Sequence, residues 1–78
     1  MIKLYQLEHC PYCKIVREKL EELQISYINI PVPKAKEERK ELIEVSGQHF
    51  VPTLIDGDVM IADDEQAIVA HLDKEYRK

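Results

Sequence analysis

The sequence has no tryptophan, no third cysteine and no apolar run near the roughly 20 residues that span a bilayer. A membrane-spanning helix is therefore not expected. No basic stretch interleaved with aromatics occurs, and the net charge is −4, which argues against nucleic acid as a partner. The start, Met-Ile-Lys-Leu-Tyr, lacks the charged region and long apolar stretch of a signal peptide, so the cytoplasm is the expected compartment. There is no internal repeat, linker or low-complexity segment. Seventy-eight residues are read as a single domain, residues 1–78, with a modest core.

What is present is concentrated in one tetrapeptide, Cys10-Pro11-Tyr12-Cys13. Two intervening residues let both sulfurs meet on the first turn of a helix. A strand-like run, Ile2 to Leu7, precedes the pair, and Cys13, Val16, Leu20 and Leu23 follow at helical spacing. A Cys-x-x-Cys between strand and helix reads as a redox dithiol. A disulfide between Cys10 and Cys13 would close too short a loop to stabilise the fold much. The competing reading is half a zinc site, which needs four ligands. His9, His49 and His71 are present, but none has paired ligand spacing, so no metal is expected.

The remaining segments follow from periodicity and turn chemistry. Residues 11–24 read as a helix with Pro11 in its first turn. Residues 26–30 read as a strand ended by Pro31 and Pro33. Residues 34–46 read as a charged, exposed helix stopped by Gly47. Thr53 to Ile55 and Val59 to Ile61 form a hairpin around Asp56-Gly57. The last helix starts near Asp63 or Asp64 and buries Ile68, Leu72 and Tyr76. His71 is expected at its surface, and the five acids from Asp56 to Glu65 are expected to form a solvated face. The order β-α-β-α-β-β-α predicts an α/β fold, a mixed four-stranded sheet flanked by three helices.

Cys10-Pro11-Tyr12-Cys13 after a first strand, Val51-Pro52-Thr53 before the hairpin, and Asp63-Asp64 opening the last helix resemble a dithiol glutaredoxin of the thioredoxin fold. The resemblance runs from Leu4 to about Leu72. The stretch Asp64-Glu65-Gln66-Ala67-Ile68, with Leu72 and Tyr76, is also similar to the last helix of the amino-terminal domain of glutathione transferases. No all-helical second domain follows, so a complete transferase is not expected.

The resemblance implies a glutathione-dependent thiol–disulfide oxidoreductase. Cys10, at the helix N-cap, would be the nucleophile and Cys13 the resolving thiol. Lys14, Arg17 and His9 are candidates for tuning the ionisation of Cys10. A cis Pro52 would present the Val51 backbone to the cysteinyl part of glutathione. Asp63 and Asp64 would receive its γ-glutamyl end, and Tyr12 would wall the groove. The partners implied are glutathione and disulfide-containing or glutathionylated proteins; no stretch reads as an obligate interface, so a monomer is expected.

Three positions depart from the family pattern. Leu7 stands where many relatives have lysine, Phe50 where they have threonine, and Met60-Ile61 where they have Gly-Gly. Gln48 and His49 are the expected substitutes for the lysine. Leu7 gives weight to a redoxin reduced by a thioredoxin-type reductase. A carrier of an iron–sulfur cluster is the remaining alternative, disfavoured by the rigidity of Pro11.

Overall fold

A computed structural model describes residues 1–77. Its elements are β1 (Ile2–Gln6), α1 (Pro11–Glu22), β2 (Tyr27–Pro31), a 3₁₀ turn (Lys36–Glu38), α2 (Lys40–Ser46), β3 (Thr53–Asp56), β4 (Val59–Ala62) and α3 (Glu65–Tyr76). The four strands form one sheet in the order β2-β1-β3-β4. β1 and β2 are parallel, and the other two pairings are antiparallel. The mixed sheet with three helices is the architecture read from the sequence. Among the described residues no helix is long and apolar enough to cross a membrane.

Strand alternation divides the core between the two faces of the sheet. Ile2 and Leu4 on β1 and Leu54 on β3 pack against Val16 and Leu20 of α1 and Ile68 and Leu72 of α3. Tyr5 points the other way, into a smaller cluster with Val32 and Leu42. Fully burying one such leucine is worth about 1.5–3 kcal/mol, so this double layer is what holds the loops at the sheet's end.

Several local expectations need correction. The helix read over 34–46 is broken. A 3₁₀ turn covers Lys36–Glu38, Arg39 is non-helical (φ −82°, ψ 59°), and α2 begins only at Lys40. The cause is the Arg39 side chain. It is 4% exposed, and its guanidinium donates to the carbonyls of Pro33 (2.8 Å), Lys34 (3.1 Å) and His49 (2.8 Å). A residue drawn inward at that point cannot continue an exposed helix. Gly47 does end α2, in the left-handed conformation (φ 74°) that glycine adopts without steric cost.

The hairpin lies one residue later than expected. Asp56 pairs with Val59, so Gly57 (φ +62°) and Asp58 form its tip. Asp56 stays in the strand, and its carboxylate accepts from His71 Nε2 (2.9 Å) and Tyr76 OH (2.7 Å) on α3. His71 is thus a half-buried partner rather than a surface residue, and Asp56 is not part of a solvated acidic face. Pro31, expected to lie past the strand, is its last residue; β2 is an edge strand, where a missing N–H is tolerated.

Candidate functional site

The strand register gathers the chemistry at one end of the sheet. Gln6 lies opposite Pro31, Tyr5 opposite Thr53, and Thr53 opposite Ala62. The segments after β1, β2 and β4 and before β3 therefore leave the sheet together. They carry Leu7 to Cys10, Val32 to Lys34, Asp63-Asp64 and Val51-Pro52. Two backbone bonds lock the convergence. Val32 N–H donates to the Gln6 carbonyl (3.1 Å), and Asp63 N–H donates to the Pro52 carbonyl (3.0 Å).

Both cysteines are free thiols. Cys10 is the N-cap of α1, with extended backbone (φ −85°, ψ 120°), and its carbonyl accepts from Lys14 N–H at 3.0 Å. Pro11 follows at the first helical position and brings no N–H. The amides of Tyr12 and Cys13 find no acceptor among the described residues. Those are the donors a helix start leaves open. Cys10 is half-buried, whereas Cys13 is fully buried and its Sγ accepts from Leu7 N–H at 3.5 Å. Burial pushes the Cys13 thiol up to about 12. The Leu7 N–H opposes that rise, neighbouring Cys10 adds to it, and the Arg17 charge opposes it weakly.

The turn that presents Cys10 is braced from below. Gln6 has the same strand parity as Ile2 and Leu4, so it faces α1, where Arg17 meets it. The Arg17 guanidinium donates to the Gln6 side-chain oxygen and to the carbonyls of Leu7 (3.3 Å) and Glu8 (3.2 Å). Gln6 Nε2 in turn donates to Asn29 Oδ1 (2.8 Å) and Glu8 Oε1 (3.2 Å). Arg17 thus holds the backbone before Cys10, and no hydrogen bond joins it to that sulfur. Lys14 and His9 are exposed, and neither side chain makes a hydrogen bond among the described residues.

An open cleft of about 490 Å³ lies at Cys10, lined by Leu7, Glu8, His9, Cys10 and Lys34. Lys34 was not singled out in the sequence, because it sits in a charged run with nothing to distinguish it from its neighbours. The expected substitutes for the missing lysine are not in this lining. The Gln48 amide donates to Ser46 Oγ (2.8 Å) and Thr53 Oγ1 (3.1 Å) and accepts from Phe50 N–H (2.6 Å), so it braces its own loop. The His49 ring rests on Phe50, with centroids 4.6 Å apart. A second hollow, about 450 Å³, lies beside the ends of α1 and α3 at Glu22, Leu23 and Tyr76, and holds neither cysteine.

Tyr12, Val51, Pro52, Asp63 and Asp64 lie outside the lining of the Cys10 cleft. The Val51-Pro52 bond is cis. Asp63 takes a left-handed conformation (φ 56°), and Asp64 caps α3 by accepting from Ala67 N–H at 3.0 Å. Tyr12 is 55% exposed. Among the described residues no three His, Cys, Asp or Glu side chains are grouped to hold a metal ion.

Comparison with known proteins agrees with this geometry. A family model described as Glutaredoxin matches residues 2–61. A Clostridium pasteurianum protein, described as an uncharacterized glutaredoxin-like 8.6 kDa protein in a rubredoxin operon, is 36% identical over 62 residues, covering 78% of this chain and 83% of that protein. Among solved structures, glutathione transferase E6 of Drosophila melanogaster is 33% identical, with a TM-score of 0.83 over 97% of this chain. The Leishmania trimeric glutathione transferase TDR1 is 28% identical, with a TM-score of 0.81 over 97% of this chain. The chain spans 35% and 17% of those two transferases.

Proposed function

The chain belongs to the glutaredoxin family, and from that premise we propose that it is a cytoplasmic thiol–disulfide oxidoreductase in which Cys10 attacks and Cys13 resolves. The observation that carries this reading is the asymmetry of the two thiols. One opens to a cleft at a helix start, and the other is buried beneath it with its proton held. The nucleophile in disulfide exchange is a thiolate, and its rate depends on access as well as ionisation.

The proposed cycle uses two sulfurs and two electrons. The Cys10 thiolate attacks the glutathione sulfur of a mixed disulfide. That S–S bond breaks, and the departing protein thiolate takes a proton from water. Cys10 then carries glutathione. Either a second glutathione thiolate attacks the bound glutathione's sulfur and leaves as glutathione disulfide, or Cys13 loses its proton and attacks Cys10 Sγ. The latter releases glutathione and leaves a Cys10–Cys13 disulfide, which two further glutathiones reduce. With a protein disulfide as substrate, Cys10 forms the mixed disulfide and Cys13 closes the cycle.

In this proposal the Val51 backbone beside cis Pro52 pairs with the cysteinyl part of glutathione. Asp63, Asp64 and the first amides of α3 take its γ-glutamyl end, as the Pro52–Asp63 backbone bond brings these segments together. One Asp64 oxygen caps Ala67, which leaves the other for the ligand's amino group. Tyr12, exposed on α1, is the proposed apolar wall.

The test is NADPH consumption with a glutathione mixed disulfide, glutathione and glutathione reductase. Turnover that disappears in Cys10→Ser supports the reading. Its absence in folded, reduced protein would leave a second reading, a redoxin fed by a thioredoxin-type reductase. Leu7 in the cleft wall, in place of a lysine, is the observation that favours it.

A further inference from the structure

We propose that Lys34 makes the Cys10 cleft selective for anionic disulfides, a role that rests on Cys10 being the nucleophile. Two residues with a charge of fixed sign line that cleft, Lys34 and Glu8, together with His9. The Glu8 carboxylate accepts from Gln6 Nε2 at 3.2 Å, and its backbone carbonyl accepts from Arg17. Glu8 is therefore held in place, and its charge repels an anionic ligand. Lys34 is the fixed positive charge that offsets it. Among the described residues Lys34 makes no ion pair and no side-chain hydrogen bond, whereas Lys19 and Arg77 are both paired with carboxylates. Lys36, two residues on, lies over the Phe50 ring at 5.7 Å from its centroid and is not in the lining.

An uncommitted lysine is useful only if its backbone is fixed, and here it is. Arg39 spends its guanidinium on three carbonyls, those of Pro33, Lys34 and His49. Burial of an arginine without a carboxylate is costly unless its donors are satisfied. The three bonds tie the segment that carries Lys34 to the segment that leads into Val51-Pro52. The Lys34 backbone is anchored, while its exposed side chain makes no hydrogen bond or ion pair among the described residues. A point charge on a flexible stem suits recognition of a carboxylate without strict geometry. Leu7 leaves its part of the cleft wall apolar, and Lys34 brings a positive charge to the same cleft from the end of the neighbouring parallel strand β2.

The step tested is a single exchange. Cys10 thiolate attacks one sulfur of a small disulfide, the S–S bond breaks, and the departing thiolate takes a proton from water. Three probes separate charge from reactivity: glutathione disulfide (anionic), 2-hydroxyethyl disulfide (neutral) and cystamine (cationic). The second-order rate of Cys10 oxidation is measured for reduced wild type, Lys34→Gln, Lys34→Glu and Lys34→Arg. Lys34→Gln should slow glutathione disulfide about fivefold, the factor one unit charge a few ångströms away supplies in water. It should leave the neutral disulfide unchanged and speed cystamine. Lys34→Glu should extend both trends, and Lys34→Arg should restore the wild-type order. Added salt should erase the wild-type preference.

Equal effects of Lys34→Gln on all three disulfides, or none on any, would overturn the role of Lys34. Failure of the underlying reading looks different. Wild type would then react with none of the three, or Cys10→Ser would consume them as fast as wild type does.

Discussion

Leu7 N–H points at Cys13 Sγ from 3.5 Å, so the residue that walls the cleft also fixes the buried thiol. The Cys13 sulfur is thereby held in the core and shielded from solvent. This predicts a sharp difference in alkylation. Reduced protein treated with iodoacetamide at about pH 8 should take one adduct, on Cys10, while Cys13 reacts only after unfolding. Peptide mass mapping reads the result directly. Equal labelling of both cysteines in folded protein would contradict the thiol asymmetry.

Arg39 has donors on three backbone carbonyls and no carboxylate partner among the described residues. Its removal orphans those carbonyls and frees the two segments they join. Arg39→Ala should cost about 2–4 kcal/mol in urea denaturation, the sum of lost charge-assisted bonds and unsatisfied acceptors. Arg39→Lys, which lacks the planar fork, should recover only part of that. A loss under about 0.5 kcal/mol, typical of surface positions, would show that the guanidinium is not a structural tie.

Tyr5 titrates in the alkaline range. Burial, the hydrogen bond to Glu41 Oε2 (2.8 Å) and the Glu41 charge push it from 10.0 to about 12. A folded value above the unfolded one means that folding favours the protonated phenol. The stability it contributes is full below pH 10.0 and is lost as pH rises through about 12. Cys13 obeys the same sign from its ordinary value of 9.0 to about 12. The two are separated by using the Cys10–Cys13 disulfide form, which has no thiol to titrate. In that form Tyr5→Phe should flatten the alkaline decline in denaturation midpoint, and an unchanged slope would remove Tyr5 as its source.

Much of this architecture could be read from periodicity. Cys13, Val16 and Leu20 share one buried helix face as their spacing requires, and Asp64 caps α3 as its position before an apolar run suggests. The thiols and the hairpin lie where the sequence placed them to within a residue, and Pro52 is cis as the family resemblance implied. The misses share a cause. Arg39, Gln6 and His71 are polar side chains whose partners are distant in the chain, at His49, Arg17 and Asp56. No local pattern distinguishes a buried arginine from its exposed neighbours in Lys34 to Glu44. Lys34 is indistinct in the sequence for the same reason, since the segment that brings it to the cleft is tied by Arg39.

The Asp56 carboxylate joins the hairpin to the last helix, accepting from His71 and Tyr76. Those two bonds, His71 first, hold its carboxyl below the ordinary value of 3.8. The same contact raises the Tyr76 phenol. A depressed carboxylate contributes stability that is present above its unfolded value and lost as pH falls through the folded one. The contribution of Asp56 should therefore disappear below pH 3.8. At neutral pH, Asp56→Asn should cost about 1–2 kcal/mol, the worth of weakening charge-assisted bonds at a partly exposed site. At acid pH the variant and wild type should converge, because both then carry a neutral group at this position. Chemical denaturation across that range reads both limbs. A constant offset between the two proteins at every pH would mean that Asp56 acts through packing and not through its charge. The cysteines sit at the other end of the sheet, so Asp56→Asn should leave the rate of Cys10 alkylation unchanged.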